Sequence, residues 1–293
     1  MRLCRFGSPD NEKPGVILEG DQSRVDVSAF GEDFNESFFG SDGIARLRTW
    51  LERNIDTCPR VSESARVAPP ICRPSKIVCV GLNYSDHAAE TNSEPPKEPM
   101  LFSKATTAMC GAHDAIIIPR DGTKTDWEVE LALVIGKRAS YVPVADWKEY
   151  VAGYCVMNDV SERAFQKERG GQFIKGKSAD SFAPFGPFLR TVDEIVDPNS
   201  LQLRLSLNGD VRQDGTTAAM IFNVPFLVSY ISQFMTLLPG DVISTGTPAG
   251  VGAGCKPPRF LKQGDVLEYS VEGLGACRNE VVSFDSRMPI VQA

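Results

Sequence analysis

Trp127-Glu128-Val129-Glu130-Leu131-Ala132-Leu133-Val134-Ile135 is an apolar run carrying two acids near its start. Its length and its aliphatic, β-prone residues read as a strand. Alternate side chains of a strand share a face, so Glu128 and Glu130 stand side by side. Two carboxylates that close repel each other, and burial raises the cost unless a counter-charge is present. A divalent cation supplies one, and an all-oxygen donor set favours Mg²⁺, Mn²⁺ or Ca²⁺. The pair is equally compatible with a strand edge whose acids face solvent.

Working outward, Gly153-Tyr154-Cys155-Val156-Met157-Asn158-Asp159 is a second apolar run, ending in an acid. Strands are expected at Lys76–Val80, Met100–Lys104, Ala115–Ile118, Val151–Asn158, Val242–Ser244, Val266–Val271 and Arg278–Ser283. Leu201–Leu207 alternates Leu with polar residues and runs into Asn208-Gly209, a strong hairpin signal. Val224–Leu238 is the clearest helix, closed by Pro239-Gly240. Many strands, few helices and no regular β-α-β alternation exclude a dinucleotide-type doubly wound sheet and an eight-fold barrel. They favour an α+β, β-rich fold. Arg2–Phe6, Gly15–Leu18 and Arg24–Val27 are further strand candidates, and Ser41–Asn54 reads as a helix with Ser41 as its N-cap. The Pro-rich stretch Val67–Pro74 then divides a small N-terminal α+β module, 1–70, from a main domain, 71–293.

A net charge of −7 without any Lys/Arg block argues against a nucleic-acid partner. The eight cysteines contain no Cys-x-x-Cys pair, and several lie in apolar runs, as expected of reduced thiols in a cytoplasmic protein. Residues 1–20 carry charges throughout and lack the apolar core of a secretion signal. No apolar run approaches the roughly 18 residues of a membrane span.

Three further clusters carry chemistry. His87 and Glu90 are three apart on a short helical stretch, Ser85–Thr91, within hydrogen-bonding reach. A carboxylate-oriented imidazole is a natural general base for water, although a surface His beside a surface Glu has the same spacing. The Pro-rich residues Ser93–Pro99 suit a lid or a rigid loop. Asp159, Arg163 and Gln166 follow i, i+4, i+7 spacing and would share a helical face. Lys177, in the polar stretch Lys175–Asp180, is either a site lysine or a loop surface lysine. Ser244-Thr245-Gly246-Thr247-Pro248-Ala249-Gly250-Val251-Gly252 offers backbone N–H groups and hydroxyls to an anion, but it is not a Walker loop.

Gly81-Leu82-Asn83-Tyr84-Ser85-Asp86-His87, Glu128-Val129-Glu130, Asn158–Arg163, Lys175–Asp180 and Ser244–Gly252, in that order, resemble the fumarylacetoacetate hydrolase family over about residues 72–283. The resemblance implies a mixed β-roll catalytic domain, usually homodimeric. It implies Mg²⁺, sometimes Mn²⁺ or Ca²⁺, held by Glu128, Glu130 and Asp159. It places Lys177 beside the substrate, Arg163 and Gln166 near the oxyanion region, and Thr247 on the substrate carboxylate. His87 and Glu90 match the lid dyad of the acylpyruvase-like members. Gly171–Ser178 and Lys256–Leu261 resemble the branch that hydrolyses 2,4-diketo-3-deoxy sugar acids, with Phe173 where that branch more usually has Trp.

The expected reaction is metal-dependent hydrolysis of a C–C bond in a 2,4-dioxo acid, giving pyruvate and a second carboxylic acid. The family also contains oxaloacetate-type decarboxylases, isomerases and hydratases of aromatic-degradation intermediates, and members labelled ureidoglycolate lyase. Each is an alternative on the same site.

Overall fold

The computed structural model describes residues 1–20, 23–90 and 93–286. The Val129–Ile135 and Val151–Asn158 strands are buried at every position and pair antiparallel, Val129 opposite Asn158. A strand covered on both faces reads as a continuous apolar run, which is why these two segments show no alternation. They lie in the middle of an eleven-stranded sheet. On one side follow Val242–Ser244, Ile77–Gly81 and Met100–Lys104; on the other, Ala183–Thr191, Arg2–Phe6, Lys13–Ile17 and Arg24–Asp26. A five-stranded sheet packs across it, in the order Asp210–Thr216, Gln202–Leu207, Val266–Val271, Ala276–Ser283, Ile116–Ile118. Its alternating burial matches the Leu pattern of 203, 205 and 207, and the Asn208-Gly209 turn joins its first hairpin with both residues at positive φ.

The expected α+β, β-rich architecture is what the chain adopts, with local departures. Ala183–Thr191 is a nine-residue central strand that sequence reading passed over, because it contains Pro184 and Pro187. Proline lacks the N–H a central strand donates and so argues against one. Here the neighbouring Val151–Asn158 strand breaks register between Tyr154 and Val156, beside Gly186-Pro187. Ser41 is not an N-cap. It terminates a short helix, Glu36–Gly40, and its hydroxyl donates to the Ser37 carbonyl at 2.7 Å. The next helix is Gly43–Asn54, entered through Asp42 in the left-handed region without a side-chain cap. The Val224 helix stops at Phe234 rather than Leu238, because Leu237 leaves to pair with Ala139. Asn223 caps its start, accepting from Phe226 N at 3.1 Å. The Ser85 helix ends at Glu90, and Thr91 lies outside the described residues.

The strand ends position the site. Just before Val129 the backbone leaves the ladder at Glu128, whose N–H donates to Asn158 Oδ1 at 2.9 Å and whose carbonyl accepts from Asp159 N at 2.8 Å. Glu128 and Asp159 are thereby tied together at the ends of adjacent strands. Glu130 lies one pleat further in, and the Ser244 end of the neighbouring strand faces it. Among the described residues no helix is long and apolar enough to cross a membrane.

Candidate active site

Glu128, Glu130 and Asp159 are buried, and one carboxylate oxygen from each lies within 4.8 Å of the others. The surroundings hold them in place. Glu128 accepts from Arg163 Nη2 and Lys177 Nζ, both at 2.6 Å. Asp159 accepts from Lys177 Nζ at 2.7 Å and Lys104 Nζ at 2.5 Å. Glu130 accepts from Ser244 Oγ at 2.5 Å and from Gly246 N at 2.9 Å. Gly246 has φ +94°, and a Cβ there would stand 3.0 Å from the Val80 carbonyl oxygen, so the bend that aims its N–H at Glu130 requires glycine.

The acids differ in charge balance. Burial by itself raises the Glu128 carboxyl, but Arg163 and Lys177 bring it well below the usual carboxylate range. Burial pushes Glu130 well up, and Asp159 and Glu128 push it further; among the described residues no ammonium or guanidinium bonds to it. Burial lowers the Lys177 ammonium, yet Asp159 and Glu128 outweigh this and hold its proton firmly. Arg163 behaves in the same way between Glu128 and Asp126. An all-oxygen set whose third acid lacks a positive partner among the described residues fits a hard divalent cation, whose charge would offset what disfavours the ionised form of Glu130.

Lys177 is buried and closes the short helix Phe173–Lys177, so it is neither a loop nor a surface residue. Asp159, Arg163 and Gln166 do meet, but not on one helical face. The helix begins only at Arg163, and Asp159 belongs to the strand end before it. Arg163 Nη1 donates to Gln166 Oε1 at 3.3 Å. On another wall, His87 Nδ1 lies 3.1 Å from Glu90 Oε2, while Glu90 Oε1 accepts from Gly250 N at 3.0 Å. A carboxylate only accepts, so the proton of this pair sits on Nδ1 and Nε2 is the basic nitrogen. Thr247 Oγ1 donates to the Val129 carbonyl and accepts from Gln213 Nε2, both at 2.8 Å. Its hydroxyl proton is therefore already engaged. His87, the three acids, Arg163, Gln166, Lys177 and Thr247 all line one cavity of about 230 Å³, and Glu90 stands behind His87.

Two charged residues of this cluster are absent from the sequence reading. Asp126 bonds Arg163 Nε at 2.9 Å and also accepts from Gly252 N at 2.6 Å and Ala253 N at 3.0 Å, joining the arginine to the Gly/Thr-rich loop. Lys104 is buried at the end of the Met100–Lys104 strand and donates to Asp159 and to the Val160 carbonyl. Burial lowers its proton affinity and Asp159 partly restores it. Nothing in the sequence singles out one Lys after Phe102-Ser103; Asp126, adjoining the decisive strand, was nearer to detection. Lys104→Met is expected to destabilise the metal-free protein by about 3–5 kcal/mol, since it leaves a buried carboxylate short of a partner. Urea unfolding measures this. Millimolar Mn²⁺ should recover part of the loss by binding the native state, and equal stability with and without Lys104 would show the pair to be neutral.

The family described as "Fumarylacetoacetate (FAA) hydrolase C-terminal" matches residues 76–282. Relatives from Burkholderia multivorans and Burkholderia lata, named as hydrolases without a stated substrate, are each 49% identical, covering 94% of this chain and 96% of their own length. A fumarylacetoacetate hydrolase structure from Exiguobacterium antarcticum superposes with a TM-score of 0.82 at 36% identity, covering 97% of this chain and 99% of that one. A maleylpyruvate hydrolase from Sphingobium sp., solved with manganese(II) and pyruvate, gives 0.80 at 28% identity over 97% and 99%. A 2-hydroxyhepta-2,4-diene-1,7-dioate isomerase from Mycobacterium marinum gives 0.75 at 34% identity over the same shares. The motifs read in the sequence, the two-sheet architecture and these matches agree: the chain belongs to the fumarylacetoacetate hydrolase family.

Proposed function

We propose that this protein is a divalent-metal-dependent hydrolase that cleaves the bond between carbons 3 and 4 of a 2,4-dioxo acid, releasing pyruvate and a second carboxylic acid. One observation carries the reading: Glu128, Glu130 and Asp159 converge in a cavity that also presents Lys177 and the Glu90-oriented His87. Glu128, Glu130 and Asp159 would hold Mg²⁺ or Mn²⁺. When bound, such a cation supplies Lewis-acid polarisation of the 2-oxo group and a fixed charge for the substrate carboxylate.

The chain's own residues do the rest. His87 Nε2 takes a proton from water, with Glu90 steadying the imidazolium that forms. The hydroxide adds to carbon 4. As the bond to carbon 3 breaks, its electron pair passes into a pyruvate enolate whose charge faces the Lys177 ammonium. His87 returns the proton to carbon 3. Arg163 and Gln166 line the oxyanion side. Thr247 meets the substrate carboxylate through its backbone N–H, which has no partner among the described residues. Cytoplasmic residence is supported by the unpaired state of all eight cysteines. A homodimer, and a small N-terminal module, 1–70, ahead of the catalytic part, complete the proposal.

The enolate-stabilising half of this machinery would also serve decarboxylation or isomerisation, and isomerases occur among the solved relatives. Labelled water separates the readings. With Mg²⁺ or Mn²⁺ present, an acylpyruvate should yield pyruvate, and ¹⁸O from water should enter the second acid. Rapid oxaloacetate turnover with no labelled acid from any dioxo substrate would replace the hydrolase reading with the decarboxylase one.

A further inference from the structure

Met100, Phe102 and Phe173 line two cavities at once. On one side lies the active-site cavity of about 230 Å³. On the other, a more open cleft of about 400 Å³ runs between the Met100–Lys104 strand and residues 171–174. These three side chains are the partition. Phe173 opens the short helix that Lys177 closes, and residues four apart stand one turn apart on the same face. Phe102 joins the two: it packs edge-on against Phe173 at 5.4 Å between ring centroids, and the Lys177 nitrogen lies 4.9 Å from its ring centre. The wall is thus an aromatic bridge, with the lysine at its inner end and Phe173 at its outer end.

The cavity's lining is divided by chemistry. The acids, Arg163, Gln166, Lys177, His87 and Thr247 gather where the oxo-acid head would bind. Apart from exposed Lys167 and half-buried Ser93, the remainder is hydrocarbon and backbone, with Val80, Leu82 and the partition residues providing the side chains. A hydroxylated arm lying on the hydrocarbon part of that surface would lose water with few side-chain partners to replace it, whereas an alkyl arm gains by burial. The enclosed space is also smaller than the ~300–1,000 Å³ usual for small-molecule pockets.

Resting on the hydrolase reading, we propose that Phe173 is the specificity-determining residue that caps the acyl arm. It restricts the enzyme to 2,4-dioxo acids with short hydrocarbon arms, rather than sugar-derived ones. The outer cleft is the extension a longer arm enters when the ring is removed. Phe173 acts by exclusion, so its removal changes the ranking of substrates rather than the bond-breaking step.

The test is kcat/KM for acylpyruvates from acetyl to octanoyl, plus a polyhydroxylated arm of matched length, with saturating Mn²⁺. Wild type, Phe173→Ala, Phe173→Leu and Phe173→Trp are compared. One methylene refused by an apolar pocket is worth roughly 10–200-fold. The wild-type series should therefore break sharply at a definite length. Phe173→Ala should raise the octanoyl-to-acetyl ratio at least tenfold, Leu less, and Trp should move the break to shorter arms. The Leu variant carries the test should the Ala variant fail to fold. Ratios agreeing within twofold across the four proteins, or a wild-type preference for the hydroxylated arm, overturn the proposal. Calorimetric binding of monoketo 2-oxo acids of graded length, which cannot undergo the hydrolysis, is run alongside. A length break that moves with residue 173 there, with no dioxo acid cleaved, retains the wall and rejects only the hydrolase reading. No break in either series rejects the wall itself.

Discussion

Glu130→Gln is expected to abolish turnover while leaving the protein folded. The change removes one ligand charge from a site with three acids. Binding of Mg²⁺ or Mn²⁺ should weaken by more than the roughly 10–100-fold lost when only a supporting partner of a ligand is removed. The fold should tolerate it, because one amide oxygen can accept from both Ser244 Oγ and Gly246 N, as Glu130 Oε2 does now. Stability without metal should hold or rise, since burial and the neighbouring Asp159 and Glu128 already disfavour charge at this position. Calorimetric metal titration, pyruvate release and a melting curve on the same preparation give the three readouts. A variant that binds Mn²⁺ like wild type would remove Glu130 from the ligand set.

His87→Ala should slow hydrolysis by roughly 10²–10⁴-fold, the usual contribution of a positioned general base. Metal affinity should stay within about twofold, because His87 is not among the converging acids. Glu90→Gln should show a smaller loss. The glutamine can still accept from Gly250 N or from His87, but it no longer offsets the charge of an imidazolium. A His87→Ala enzyme running at full rate on acylpyruvates would leave the dyad without a catalytic part, and water activation would then have to be sought elsewhere in the cavity.

How much of this was legible in the sequence depended on the physics each residue obeys. Glu128 and Glu130 were readable because strand period 2 is local and the flanking run is apolar without interruption. The His87–Glu90 pair was readable because helical spacing is local too. Lys104 was not, since its meaning arises only when its strand end meets Asp159, 55 residues away. The Ala183–Thr191 strand was hidden by Pro184 and Pro187, where tertiary pairing overrides local preference. Asp159, Arg163 and Gln166 meet for a reason other than i, i+4, i+7 spacing on one helix: a strand end and a separate helix start turn toward one cavity. The order of motifs conveyed more about the site than any single motif did.

The first strand has a consequence for how the chain can be cut. Arg2 and Leu3 pair with Arg190 and Leu189 on the Ala183–Thr191 strand, and Arg66 donates to Asp114 across the same region at 2.6 Å. A chain begun at residue 71 would contain every residue assigned to catalysis. It would also strip the partner from the outer part of a buried strand, baring unpaired N–H and C=O groups beside Leu3's vacated hydrophobic seat. Such an edge recruits other chains. Truncation should therefore fail through aggregation before it fails through chemistry, and the N-terminal segment acts as the sheet's permanent cover.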